Sequence, residues 1–166
     1  MLALHRMNAT IRPACRQDAE AIADVHNRSR AEAFRGQIDD EILFGDAAFA
    51  ITHAWREYFE DPEGPAGTVA VAEIGSKMVG FAFAVPGEGA YAHELKNLYL
   101  LAEAAGSGTA PKLLNAVIPA DESALLWVAE FNDRAQNFYG KEGFRFDGTQ
   151  KRHKGDRITL KRMVRG

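Results

Sequence analysis

The chain has 166 residues, 46% apolar and 26% charged, with a formal net charge of −3. That length suits one domain with its own core, and the acid excess gives no global positive field for nucleic acid or an anionic membrane. No apolar run approaches the ~20 residues that span a bilayer, and a single cysteine, Cys15, excludes an internal disulfide framework or a thiolate metal cluster.

The N-terminal MLALHRMNAT lacks the apolar centre of a signal peptide, so a cytoplasmic address is expected, with residues 1–8 a frayed leader to a single domain over 1–166. ATIRPA (9–14) reads as a short edge strand closed by Pro13. From Arg16 to Phe34 the apolar spacing is helical, with Ala19, Ile22, Ala23, His26, Arg30 and Ala33 on one stripe. Asp18 sits near its start, where a carboxylate suits the helix dipole. A second helical region runs from about Asp39 to Phe59, with a break expected at Gly45. DPEGPAG (61–67) has loop chemistry.

TVAVAEIGSKMVGFAFAVP then predicts a hairpin turning at Gly75-Ser76. A third strand covers 90–101, and its alternation, Tyr91, His93, Leu95 and then Leu98, Leu100, changes phase at Lys96-Asn97. One extra residue does that, so a β-bulge is expected there. A helix over 109–118, a buried strand over 124–130, a helix over 133–143 and two closing strands, FRFDG and RITLKRMV, complete the chain. The fold class is α/β: one mixed sheet with flanking helices and no internal repeat.

LAEAAGSGTAPKLLNAVI (101–118) raises a chemical question, because a turn that only reversed direction would not need so many small residues. A strand that leads through glycines into a helix reads as an anion site, beside the plainer reading of a tight strand-to-helix connection with no ligand. The first helical N–H groups have no partner within the helix, and the dipole adds positive potential. A P-loop is excluded, since Thr109-Ala110-Pro111 stands where Lys-Ser/Thr is required. A dinucleotide fingerprint lacks its third glycine, although Glu130 stands at a suitable distance for its acidic residue.

ELKNLYLLAEAAGSGTAPKLL resembles the acyl-CoA-binding segment of the GNAT family of N-acetyltransferases. LLWVAEFNDRAQNFYGKEGFRFDG resembles that family's second block, with Asn132, Ala135, Phe138, Tyr139, Gly143 and Phe144 on the pattern. The resemblance implies a mostly antiparallel sheet with a splayed strand pair. It also implies transfer of an acetyl group from acetyl-CoA to a primary amine of a small molecule or peptide, and leaves open a homodimer. Ala105 stands where the family has Gln or Arg, which removes a side-chain cation from the pyrophosphate.

The residues the resemblance implies for acetyl-CoA are Leu98, Tyr99, Leu100, Gly106, Ser107, Gly108, Thr109, Ala110, Asn132 and Phe138. The strand backbone at Leu98 and Leu100 would bond the pantetheine arm as another strand would. Tyr139 is the expected acid toward the leaving thiolate, beside the plainer reading of an aromatic packed next to Phe138. Asn132 also reads as a helix N-cap. Glu94 is the expected base, directly or through water, with Glu130 next and His93 and His26 after it; a solvated strand carboxylate is the alternative for Glu94. A base is useful because an alkylamine of pKa about 10.4 is roughly one part in two thousand neutral at pH 7. His26, Arg30, Phe34, Trp55 and Tyr58 are candidates for an acceptor pocket, no metal is expected, and Cys15 reads as inert. A competing class is a GNAT-like interaction module without catalysis, which Ala105 keeps open.

Overall fold

The computed structural model describes residues 8–61, 66–155 and 157–166. The expected leader, apart from Asn8, and positions 62–65 of the predicted loop lie outside the described residues.

Seven strands form one sheet: β1 (Thr10–Pro13), β2 (Thr68–Ile74), β3 (Lys77–Pro86), β4 (His93–Leu100), β5 (Ala124–Ala129), β6 (Arg145–Arg152) and β7 (Thr159–Arg165). Their order is β1-β2-β3-β4-β5-β7-β6. Every neighbouring pair is antiparallel except β4 and β5, which run parallel. The helices are α1 (Ala19–Phe34), α2 (Asp40–Phe44), α3 (Asp46–Glu60), α4 (Thr109–Val117) and α5 (Asp133–Lys141). The second helical region does break at Gly45, the residue between α2 and α3.

Two cores lie on opposite faces of the sheet. One is built from α4, the strand positions Ala82, Leu95 and Leu126, and Tyr139 and Phe144. The other packs α1 and α3 onto the sheet through Ile22, Val25, Trp55, Val71 and Phe81. α1 departs from the expected stripe: Val25 and Ser29 are buried and Ala33 is exposed. The helix wedges between α3 and the sheet, so a wider arc than one stripe is covered, and in its last turn Ala31 is buried and Phe34 packs near Ala129 and Leu160 while Ala33 faces out. β6 extends four residues beyond the expected FRFDG, with all eight positions exposed. A polar edge strand carries no period-2 signal, and its register with β7 slips between Phe146 and Gln150.

The predicted bulge is present. Asn97 pairs with Phe83 and Leu95 with Ala84, so Lys96 is the extra residue of β4. It shifts side chains by one position, putting Leu95 and Leu98 in the α4 core while Tyr99 packs with the α1–α3 core. β4 and β5 pair only over His93–Leu95 and Ala124–Leu126. Beyond the bulge they splay, and the wedge between them is open.

Candidate active site

Leu101 N–H bonds the Val79 carbonyl at 2.8 Å. In an antiparallel ladder the backbone groups alternate sides, so Tyr99 turns its peptide groups to β3 while Leu98 and Leu100 turn theirs to the open wedge. A cleft of about 320 Å³ occupies this wedge, lined among others by Leu98, Tyr99, Trp127, Asn132 and Tyr139. Arg30 and Phe34 of α1 line it as well.

At the end of β4 a short 3-10 turn, Ala102–Ala104, leads into the glycine loop. Gly106 and Gly108 have φ of 70° and 77°, left-handed conformations that suit glycine. A Cβ on either would meet nothing within 4 Å. Among the described residues, the amides of Gly106, Ser107, Gly108, Thr109 and Ala110 have no backbone acceptor, so they stand free at the start of α4. The side chains of the loop are occupied elsewhere: the Ser107 hydroxyl meets the Ala104 carbonyl at 2.6 Å and the Thr109 hydroxyl at 2.7 Å, and Thr109 is buried. The loop therefore presents main chain, and Ala105 is exposed beside it with no cation.

α5 opens on Asn132, whose side-chain oxygen accepts from Ala135 N–H at 3.1 Å; the residue caps its helix and lines the cleft at once. Two turns on, Tyr139 is 9% exposed, its ring against Phe138 and Phe144. Its hydroxyl has no hydrogen-bond partner among the described residues, and it lines the cleft. Burial, and then the neighbouring Tyr99, push this phenol well above its ordinary value, so it stays protonated. Phe138 faces the core and lines neither cavity described here.

A second, larger cavity of about 820 Å³ runs along α3. Trp55, Tyr58 and Phe83 make its wall, and Glu57, Glu60 and Asp61 stand at its end. Among the described residues no lysine or arginine lines it. His26 and Asn97 line both cavities and mark where they meet. Trp55 Nε1–H donates to His26 Nδ1 at 3.1 Å, and burial, with Arg30 second, lowers this imidazole to about 4.

Of the expected residues, Leu98, Tyr99, Asn132 and Tyr139 line one cleft, while Leu100 and the loop over 106–110 follow at the end of β4 without lining it. Of the acceptor candidates, Trp55 and Tyr58 line the larger cavity, Arg30 and Phe34 the smaller, and His26 both. Glu94 lines neither; it faces Val85 across the ladder, and its Oε1 accepts from Lys96 Nζ at 3.0 Å. Glu130 pairs with Lys161 at 3.5 Å and His93 with Glu122, both away from the cavities. Asn97 is the residue missed as a site residue, though the phase change at Lys96-Asn97 pointed to it.

The profile of the acetyltransferase (GNAT) domain matches residues 65–146, from β2 through the glycine loop and α5. An uncharacterised N-acetyltransferase of Mycobacterium tuberculosis is 34% identical over 159 residues, covering 89% of this chain and 99% of that protein. The chain belongs to the GNAT family. Solved structures agree with this GNAT fold. The PaiA N-acetyltransferase of Thermoplasma acidophilum, in complex with coenzyme A, superposes with a TM-score of 0.69 at 19% identity, covering 93% of this chain and 98% of that one. An acetyltransferase of Thermus thermophilus gives 0.65 at 19% identity over 98% and 99%. Family membership makes this GNAT chain an acyl-CoA-dependent N-acetyltransferase with acetyl-CoA as cosubstrate. Its residues fit that molecule: free loop amides at a helix start suit a pyrophosphate, and an open strand edge suits an amide-bearing arm. No helix of the described residues is long and apolar enough to cross a membrane.

Proposed function

We propose that the protein, as one cytoplasmic domain, transfers acetyl from acetyl-CoA to a primary amine that enters through the α3 cavity. The observation that carries this reading is the meeting of the two cavities at His26 and Asn97, one opening on a strand edge and unpartnered hydroxyl, the other on an aromatic wall. The amides of Gly106 to Ala110 hold the pyrophosphate, and Leu98 and Leu100 bond the pantetheine arm as a strand would. Asn132 and the ring of Tyr99 flank that arm.

An ammonium ion is drawn toward Glu57, Glu60 and Asp61, and the carbonyl end of α3 adds to the attraction. Deeper in, the same burial and Arg30 charge that lower His26 favour the neutral amine. Glu94 takes the amine's proton through water, since it stands one step behind the cavity wall at Val85. Tyr139 gives its proton to the departing sulfur. The acceptor read from these walls is an amine on an apolar or aromatic body, without a carboxylate near the nitrogen.

Thiol release from acetyl-CoA with matched acceptors tests this reading: phenethylamine against phenylalanine, which differ by one carboxylate. Faster turnover of the first is expected. Acetyl-CoA without effect on the melting temperature, and no amine-dependent thiol, would refute it in favour of an interaction module.

A further inference from the structure

His26 and Asn97 each line both cavities. Trp55 Nε1–H occupies the Nδ1 lone pair of His26, so the ring proton sits on Nε2 as long as that bond holds. Ring contacts hold the imidazole on further sides, with Tyr99 at 5.0 Å and Phe81 at 5.6 Å between centroids. The capped nitrogen makes His26 a poor base and a committed donor. Asn97 is aimed by the bulge: with Lys96 looped out, its side chain leaves the face of Leu95 and lies on that of Tyr99.

Neither His26 Nε2 nor the Asn97 amide has a hydrogen-bond partner among the described residues. Neither is sealed: the buried unsatisfied side-chain atoms of the described residues are the Ser29 hydroxyl and Arg165 Nε. Two neutral side chains with untaken donors therefore line the junction of the acyl cleft and the acceptor cavity. Negative charge develops there as an amine adds to a thioester, and it develops on oxygen.

We propose that His26 Nε2–H and the side-chain amide of Asn97 together hold the acyl carbonyl oxygen and stabilise its charge during transfer. This rests on the acetyltransferase reading above. The amine nitrogen forms a bond to the carbonyl carbon, and the carbonyl π pair moves to the oxygen between the two donors. The nitrogen's proton leaves through water to Glu94. When the pair returns, the C–S bond breaks and the sulfur takes the Tyr139 proton, giving amide and free thiol; the phenol is reprotonated from solvent. A neutral donor suits this work because it need not surrender a proton to the oxyanion, and the imidazole lowered to about 4 stays neutral at working pH.

Coenzyme A lacks the acyl oxygen, so binding and chemistry are separable. Wild-type protein, Asn97→Ala, His26→Phe and His26→Gln are titrated with CoA and with acetyl-CoA carrying a ¹³C carbonyl, and thiol release is followed with phenethylamine. In wild type the bound carbonyl resonance moves downfield. In Asn97→Ala and His26→Phe it returns toward the free position, CoA affinity stays within about twofold, and kcat falls about 10²–10³-fold for each lost donor. His26→Gln, which keeps an N–H, recovers part of the rate. ¹⁵N spectra of wild type show a protonated Nε2 and a bare Nδ1 on His26. An unmoved carbonyl resonance in wild type, or unchanged kcat in both single variants, overturns the donor pair while leaving the acetyltransferase standing. Wild type that binds no CoA removes both.

Discussion

Tyr139→Phe separates chemistry from packing at one atom. The ring lies against Phe138 at 5.2 Å and Phe144 at 5.9 Å between centroids, and phenylalanine keeps both contacts. The hydroxyl that is lost makes no hydrogen bond to the described residues, so its removal costs no bond. That oxygen is not among the sealed, unsatisfied side-chain atoms of the described residues, so removing it changes stability by about 1 kcal/mol or less. The melting temperature should therefore hold within a few degrees. Turnover is another matter. A raised phenol is protonated throughout the neutral range, the form the proposed acid role requires. Losing a general acid costs about 10²-fold in kcat, or about 2.7 kcal/mol of barrier. Acetyl-CoA affinity should stay within about twofold, because the lost interaction strengthens only as the C–S bond breaks. Differential scanning calorimetry, titration calorimetry and thiol release on one preparation give all three quantities. Unchanged turnover refutes the acid role, and a fall in affinity matching the fall in rate refutes it as well, since that would make Tyr139 a binding contact.

Gly108→Val should abolish the acetyl-CoA-dependent rise in melting temperature. Its side chain would stand in the open space over the loop amides, and a φ of 77° should cost a valine about 1–2 kcal/mol of stability in a urea titration. Ala105→Arg should tighten acetyl-CoA by about 1–2 kcal/mol through a charge-assisted contact, read by calorimetry as a roughly 5- to 30-fold lower Kd; no gain would mean that position 105 faces away from the phosphates. Asp18 takes hydrogen bonds from Arg12 at 2.7 and 2.9 Å, which hold its carboxyl down to about 2. The unfolded chain then binds more protons than the native state between about pH 4 and 2, so stability falls as pH drops through that window. With Arg12 about one-third exposed, the loss is on the order of 1–2 kcal/mol, and acid urea midpoints of Asp18→Asn should lack it.

The parts of this fold that follow from local rules were legible in the chain. The Gly75-Ser76 hairpin, the cap at Asn132 and the extra residue at Lys96 each leave a mark within a few positions. The anion-site reading of the glycine loop rests on main chain and small residues, which leave their mark in consecutive positions. The α3 cavity was legible in His26, Trp55 and Tyr58 but not in the wall they share with the sheet. Trp55 and Phe83 are 28 positions apart, and only the packing of α3 on the sheet makes them one wall. Glu94 shows the other limit. Its place on the strand was clear, yet whether its carboxylate reached a cavity or Lys96 depended on the twist and splay after the bulge. Asn97 was seen as a turn of phase and not as a site residue, because nothing near it in the chain reveals that it shares both cavities with His26.

The parallel joint between β4 and β5 has a mechanical meaning. The sheet is two slabs, β1–β4 and β5–β7–β6, and His93–Leu95 against Ala124–Leu126 is the whole seam of strand pairing between them. A strand-like guest in the wedge would extend that seam, acting as mortar between slabs that otherwise lean on helices and side chains. Occupancy would then be felt as slower amide hydrogen exchange on both sides of the wedge, at Leu98 and Leu100 and at Trp127 to Ala129, and not only at the glycine loop. Breathing of the empty seam would in turn set how fast the guest enters and leaves.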